Sequence, residues 1–145
     1  MTVIDTSAVV DFLLGAGTAQ QVQTLMLHEG ELAAPDLLVF EVLAVLRREA
    51  LRGTLAENRA AGAVADLGDL PIELYPCMPL RRRAWALRRN LTIADAMFIA
   101  LAEQLDEPLA TKDSALANEA HKHATLEVLR LDAIDSGPLP TDGEG

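Results

Sequence analysis

The chain is poor in cysteine, in aromatic residues and in long apolar runs, and each shortage removes a class of answers. A single cysteine, Cys77, excludes an internal disulfide and suits a reducing compartment. Next to Pro76, it reads as a small buried hydrophobe. One Trp, one Tyr and three Phe leave the core to Leu, Val, Ile and Ala, in a chain that is 50% hydrophobic. No apolar stretch reaches the length of a membrane span. The first residues form a short strand pattern, not the charged segment and long apolar run of a secretory leader. A soluble, cytoplasmic protein without membrane contact is expected. Positive charge is scarce too: 12 Lys and Arg stand against 22 Asp and Glu, a formal net charge of −10. Taken alone, that balance argues against a nucleic-acid partner.

The scarce positive charge is concentrated. Nine of the 12 basic residues lie between Arg47 and Arg89. They fall into two groups, Arg47/Arg48/Arg52/Arg59 and Arg81/Arg82/Arg83/Arg88/Arg89. An acidic protein arranged in this way can still hold a polyanion locally.

With 145 residues, the chain has the size of one domain and can bury a core without a disulfide or structural metal. The pattern predicts one domain over 1–135. From Ser136 a patternless, mobile tail is expected over 136–145. Short apolar strands are predicted at Thr2–Ile4, Glu31–Ala34, between Pro71 and Pro76, at Leu109–Thr111 and at Glu127–Leu131. Helices are predicted at Val9–Leu14, Thr18–Leu27, Leu37–Leu51, Glu57–Leu67, Pro79–Arg89, Thr92–Leu105 and Asp113–His121. The helix from Leu37 is apolar over most of its surface and is expected to be largely buried. Trp85 is expected in the core or at an interface. Alternation of strand and helix predicts an α/β fold, a small parallel sheet with helices on both faces.

Four acids stand where surface charge is least expected. Asp5 ends the first strand, and Asp113 follows Leu109-Ala110-Thr111. Glu41 lies in the first turns of an apolar helix, and Asp95 in the first turn of another. In a parallel α/β sheet both kinds of position lie at the same edge, where such sheets bind ligands. Each acid also has a plain structural role open to it. Asp5 and Asp113 can cap helices, Thr92-x-x-Asp95 fits a capping box, and Glu41 can sit on a thin solvent stripe. Asp11 and Asp36 read as solvent-facing or turn residues. If the four acids converge, their repulsion calls for a counter-charge. A hard divalent cation such as Mg²⁺ takes oxygen ligands and supports phosphoryl chemistry. His28, His121 and His123 show no zinc-like spacing.

Together these motifs resemble the PIN-domain ribonucleases, and specifically the VapC-type toxins of toxin–antitoxin pairs. Val3-Ile4-Asp5-Thr6-Ser7-Ala8 is similar to the family's opening strand and first acid. Ala34-Pro35-Asp36-Leu37-Leu38-Val39-Phe40-Glu41-Val42 resembles the second segment, Leu91-Thr92-Ile93-Ala94-Asp95-Ala96 the third and Leu109-Ala110-Thr111-Lys112-Asp113-Ser114 the fourth. The resemblance implies a catalytic pocket of Asp5, Glu41, Asp95 and Asp113. Asp5, Asp95 and Asp113 would serve as metal ligands, with Ser7 and Thr111 supporting the acids by hydrogen bonds. It implies an endoribonuclease using Mg²⁺, with Mn²⁺ as a substitute, in which a metal-activated water attacks phosphorus. It further implies a homodimer restrained by a small VapB-like antitoxin, with DNA reached only through that antitoxin. Arg81, Arg82, Arg83, Arg88 and Arg89 would touch RNA, or would simply solvate a helix face.

Three other readings stand beside this one. A phospho-receiver domain leaves Glu41 and Asp95 unexplained. A haloacid-dehalogenase-like phosphatase with Asp5 as nucleophile needs an acid where this chain has Ser7. A catalytically silent PIN binding module would not need all four acids.

Overall fold

Strands of three or four residues with apolar side chains on both faces are stable only when both faces are covered, which is the situation of a parallel sheet. A computed structural model, describing residues 1–131, shows that arrangement. Strands β1 (Thr2–Ile4), β2 (Leu32–Pro35), β3 (Ile72–Tyr75), β4 (Leu109–Thr111) and β5 (Val128–Arg130) form one sheet in the order β3-β2-β1-β4-β5. Every pairing is parallel. Val3, at the centre, pairs with Ala33 on one side and Leu109 on the other. Val3, Ile4, Leu32, Ala33, Ala34, Leu109 and Ala110 are completely buried.

Helices α1 (Thr6–Leu14), α2 (Ala19–Glu29), α3 (Leu37–Leu51), α4 (Glu57–Leu67), α5 (Arg81–Ala86), α6 (Ile93–Leu105) and α7 (Ser114–His123) cover the sheet. Helices α1 to α4 pack on one another, whereas α6 lies against β1, β2 and β4 and is itself covered by α5. Helix α6 supplies much of the core through Phe98, Ile99 and Leu101, as its nearly continuous apolar run predicts. The chain winds outward from β1 through β2 to β3, then returns to add β4 and β5 on the other side. The strand order therefore reverses between β1 and β4. A crevice opens at such a reversal, beyond the carboxyl ends of the two strands.

The helices expected from Leu37 to Leu51 and from Glu57 to Leu67 are present with those bounds. The first helix starts at Thr6 instead of Val9, because the Asp5 side chain caps it. Other expectations need correction. Helix α3 is not largely buried: Leu38, Val42 and Leu46 face inward, while Phe40 is 75% exposed and Val39, Leu43 and Leu51 are exposed with it. One stripe, spaced by four residues, is enough to pack α3 against the sheet, and its remaining apolar surface stays open. The helix expected over Pro79–Arg89 is divided into a 3₁₀ turn, Met78–Leu80, and the short α5. It closes early because the Leu87 amide bonds the carbonyls of both Arg83 and Ala84, tightening the last turn. Trp85 is 62% exposed and outside the core of this chain. Cys77 is only half-buried. The expected boundary at 135 and the tail 136–145 lie outside the described residues. Among the described residues no helix is long and apolar enough to cross a membrane.

The two phenylalanines distinguish core from open surface. Phe98→Ala should cost about 3–5 kcal/mol, the usual loss for a fully buried aromatic. Phe40→Ala should stay within about 0.5 kcal/mol of the parent. Urea unfolding followed by circular dichroism measures both, and equal losses would contradict the orientation of α3.

Candidate active site

Asp5 follows β1 directly and caps α1, accepting the Ala8 amide on Oδ1 at 3.1 Å. Its Oδ2 accepts a short hydrogen bond from the hydroxyl of Thr111, the last residue of β4. The Ser7 hydroxyl lies 3.2 Å from both carboxylate oxygens. Thr111 is fully buried, and its Oγ1 also accepts the Asp113 amide at 2.9 Å. One threonine thus joins the acid after β1 to the acid after β4, across the strand reversal. Asp113 caps α7 with a single oxygen, Oδ1, which accepts the amides of Ala115 and Leu116 at 2.9 and 3.1 Å.

The other two acids come from near helix starts, Asp95 in the first turn of α6 and Glu41 one turn into α3. Glu41 accepts the Thr6 hydroxyl on Oε1 at 2.6 Å, which ties α3 to the start of α1. Asp95 sits where the Thr92 side chain caps α6, accepting the Asp95 amide at 3.1 Å.

The four acids share one electrostatic environment. Burial pushes the Asp5 carboxyl up to about 6, and the charge of Asp113 adds to the rise, while hydrogen bonds from Thr111, Ala8 and Ser7 oppose it. Asp95 is raised by burial, and then by the charges of Asp113 and Glu41, against a hydrogen bond with Thr92. None of the four carboxylates takes part in an ion pair among the described residues. The donor set consists only of carboxylate oxygen, which suits a hard divalent cation better than any softer metal. No three His, Cys, Asp or Glu side chains among the described residues form a group ready to enclose an ion.

Two residues set aside in the sequence take part in building the site. Asp11 is not a solvent-facing acid. Its carboxylate receives the amide and hydroxyl of Thr18, both at 2.9 Å, and Lys112 Nζ at 2.8 and 2.9 Å. This clamp ties the turn after α1 to the residue between Thr111 and Asp113. Gly17 belongs to the same turn: its φ is +51°, and a Cβ there would overlap the Asp11 carboxylate. Thr6, which appeared in the sequence only as a member of the first motif, positions Glu41. The available signal was weak, since a polar residue beside one acid and a Lys beside another are common on any surface.

The arginine cluster divides. Arg83 donates to Glu103 at 3.0 Å and to the His123 carbonyl at 2.9 Å, so it fastens α5 to α6 and to the end of α7. Arg81 and Arg88 each bond a carbonyl three residues back, from Met78 and Trp85, and remain exposed. Arg82 and Arg89 are exposed and make no hydrogen bond or ion pair among the described residues.

A parallel sheet with acids delivered by strand ends and helix starts to its point of reversal defines a class, and comparison with known proteins identifies it. The PIN domain profile matches residues 2–122. Ribonuclease VapC1 of Mycobacterium tuberculosis is 43% identical over 116 residues, covering 79% of this chain and 87% of the relative. Ribonuclease VapC12 of the same organism is 32% identical over 133 residues, covering 89% and 99%. FitAcB from Neisseria gonorrhoeae superposes with a TM-score of 0.63 at 16% identity, covering 92% of this chain and 100% of that one. VapBC2 from Rickettsia felis, solved bound to a DNA fragment from its promoter, gives 0.63 at 10% identity over 89% and 97%. The chain belongs to the PIN-domain family, among relatives named VapC ribonucleases. That membership removes the phospho-receiver and dehalogenase-like readings.

The raised Asp5 carboxyl has a consequence for stability. Its folded pKa of about 6 exceeds the ordinary 3.8, so its contribution is fully present below the ordinary value. It is lost as pH rises through about 6, where the buried group must ionise. In metal-free buffer, Asp5→Asn should therefore gain stability over the parent as pH increases from 4 to 8, by roughly 3 kcal/mol at most. Urea midpoints of the two proteins across that range measure the difference, and a gap independent of pH would contradict it. Asp11→Ala should cost about 1–3 kcal/mol, because it leaves the Thr18 amide and Lys112 without their acceptor.

Proposed function

We propose that the chain is a divalent-metal-dependent endoribonuclease, the toxin of a toxin–antitoxin pair, acting in the cytosol. The observation that carries this reading is the set of four unpaired carboxylates at the β1/β4 reversal, in a chain whose relatives are named ribonucleases. Asp5, Asp95 and Asp113 are assigned to holding Mg²⁺ or Mn²⁺, directly or through water, and Glu41 to completing the catalytic set. When bound, the ion supplies charge stabilisation at the phosphate and lowers the pKa of a water. The protein's own contribution is geometric. Thr111 and Ser7 orient Asp5, Thr111 also fixes the Asp113 backbone, and Thr6 turns Glu41 toward α1. Capping occupies only Oδ1 of Asp113, so its second oxygen is free to accept from a water or a ligand. Arg81, Arg82, Arg88 and Arg89 are assigned to RNA phosphates. Arg83 is already engaged by Glu103 and His123.

The apolar surface left open by α3 suits the proposed VapB-like antitoxin. Two grooves of about 320 and 430 Å³ run between α3 and α4, sharing Leu43 and Val64. Exposed apolar surface of this extent marks an interaction site, and Phe40 stands beside Glu41. A segment seated there can extend a basic residue into the acids. The homodimer is proposed on the same ground, that a free chain leaves this much apolar surface bare.

The purified full chain should cut a structured RNA with Mg²⁺ or Mn²⁺ and stop on EDTA addition. Asp5→Asn and Asp95→Asn should each lower the cleavage rate at least about 100-fold, as removal of a group acting on the reacting charge does. Circular dichroism confirms that each variant is folded. Cleavage retained by folded Asp5→Asn would remove Asp5 from the mechanism.

A further inference from the structure

The most exposed polar–aromatic surface outside the acid pocket is the outer face of α5. Trp85 is the chain's one tryptophan and is 62% exposed. The Arg88 guanidinium lies over its ring, 4.6 Å from the centroid, a cation–π arrangement that also fixes the orientation of the indole. Arg88 is held in turn by the Trp85 carbonyl at 2.9 Å. Arg81, Arg82 and Arg89 lie within four residues of Trp85 in the chain, all exposed. Met78, 69% exposed, precedes them. In a chain of net charge −10, this is a local patch of the opposite sign around a flat aromatic.

The placement of this patch relative to the acids follows from the fold. Arg83 grips Glu103, in the last turns of α6, while Leu87 to Leu91 lead up to Thr92 at its start. Helix α5 therefore runs antiparallel along α6, toward the end that carries Asp95. Asp95 and Glu103 are eight residues apart, about 12 Å along the helix. Trp85 and Arg88 thus lie between these two levels, within reach of a strand whose backbone passes the carboxylates.

We infer that Trp85, backed by Arg88, is a stacking platform for an unpaired base of single-stranded RNA, with Arg82 and Arg89 holding its flanking phosphates. The inference rests on the ribonuclease reading for its ligand but names a subsite beyond it. Charge selects the occupant: four guanidinium groups around an exposed indole match a polyanion with aromatic bases. An apolar helix would find its complement on α3 and α4 instead. Aromatic stacking is tolerant of sequence and adds to phosphate contacts. This explains how a protein so acidic overall engages RNA at all, through a confined cationic strip and not through its general field. Trp85, expected in the core or an interface, acquires its role from its exposure.

The single tryptophan makes the test direct. The full chain is titrated in EDTA with a short single-stranded RNA while the Trp85 emission is followed. Quenching is expected, with affinity falling steeply as salt rises. A ribose-phosphate oligomer of the same length without bases should bind more weakly and quench little. Trp85→Ala should weaken RNA binding about tenfold, and Trp85→Phe should recover most of it. With Mg²⁺, Trp85→Ala should raise KM for cleavage and leave kcat nearly unchanged. RNA binding that neither quenches Trp85 nor responds to Trp85→Ala overturns the platform, as does quenching by an acidic peptide but not by RNA. If the parent chain cuts no RNA, the ribonuclease reading fails. Quenching by RNA would then still establish the platform.

Discussion

The molecule is organised by a repulsion that it does not neutralise. Burial raises the cost of ionising Asp5 and Asp95, the charge of Asp113 adds to it at both, and that of Glu41 adds to it at Asp95. A protein selected only for stability would remove such a cluster or pair it with arginine. Instead, Asp5, Glu41 and Asp113 are restrained by neutral donors: backbone amides and the hydroxyls of Thr6, Ser7 and Thr111. Neutral donors orient a carboxylate without cancelling its charge. The one nearby lysine, Lys112, is bound by Asp11 and so kept as a structural tie. The strand reversal between β1 and β4 makes this affordable, because it opens the crevice to solvent and ligands just where the charges meet.

Thr111 is the narrowest point of that construction. It is fully buried, its hydroxyl donates to Asp5, and the same oxygen accepts the Asp113 amide. A displacement of β4 against β1 would break the contact to Asp5 and carry Asp113 away with Thr111. The Asp11–Lys112 pair limits such displacement from outside by joining the α1–α2 turn to the same loop. The two devices act at consecutive residues, one inside the core and one at the surface.

Most of the fold was legible because its signals are local. Short apolar strands, the helix Leu37–Leu51 and the apolar run of α6 each announce themselves by pattern. The positions of the four acids were legible as well, since the rule that places strand ends and helix starts at one edge needs only the element order. Illegible features depend on what lies across from a residue. Nothing in Leu37–Leu51 says which of two apolar stripes will meet the sheet, so Phe40 and Leu43 seemed buried. Trp85 carries the same ambiguity, resolved only when Ala84 and Leu87 take the inward positions. Asp11 looked idle because its partners, Thr18 and Lys112, come from different turns. Capping and catalysis also looked like rival explanations for Asp5 and Asp113. They are compatible, because one oxygen of Asp113 serves the helix and leaves the other unengaged.

The open surfaces extend this logic. Helix α3 brings Glu41 to the pocket, and the next residue back, Phe40, belongs to its exposed apolar face. The segment that delivers Asp95 begins a few residues earlier with Trp85 and Arg88, a cationic aromatic face. Glu41 is thus carried by a helix with an open apolar face, and Asp95 by α6, which the basic face of α5 precedes in the chain. On the reading proposed here, an inhibitory protein partner approaches along α3 and the RNA along α5, and the two meet only at the carboxylates. Inhibition then needs no overlap between the two docking faces. It needs only that a positive group from the first partner reach acids that the enzyme itself leaves without a counter-charge.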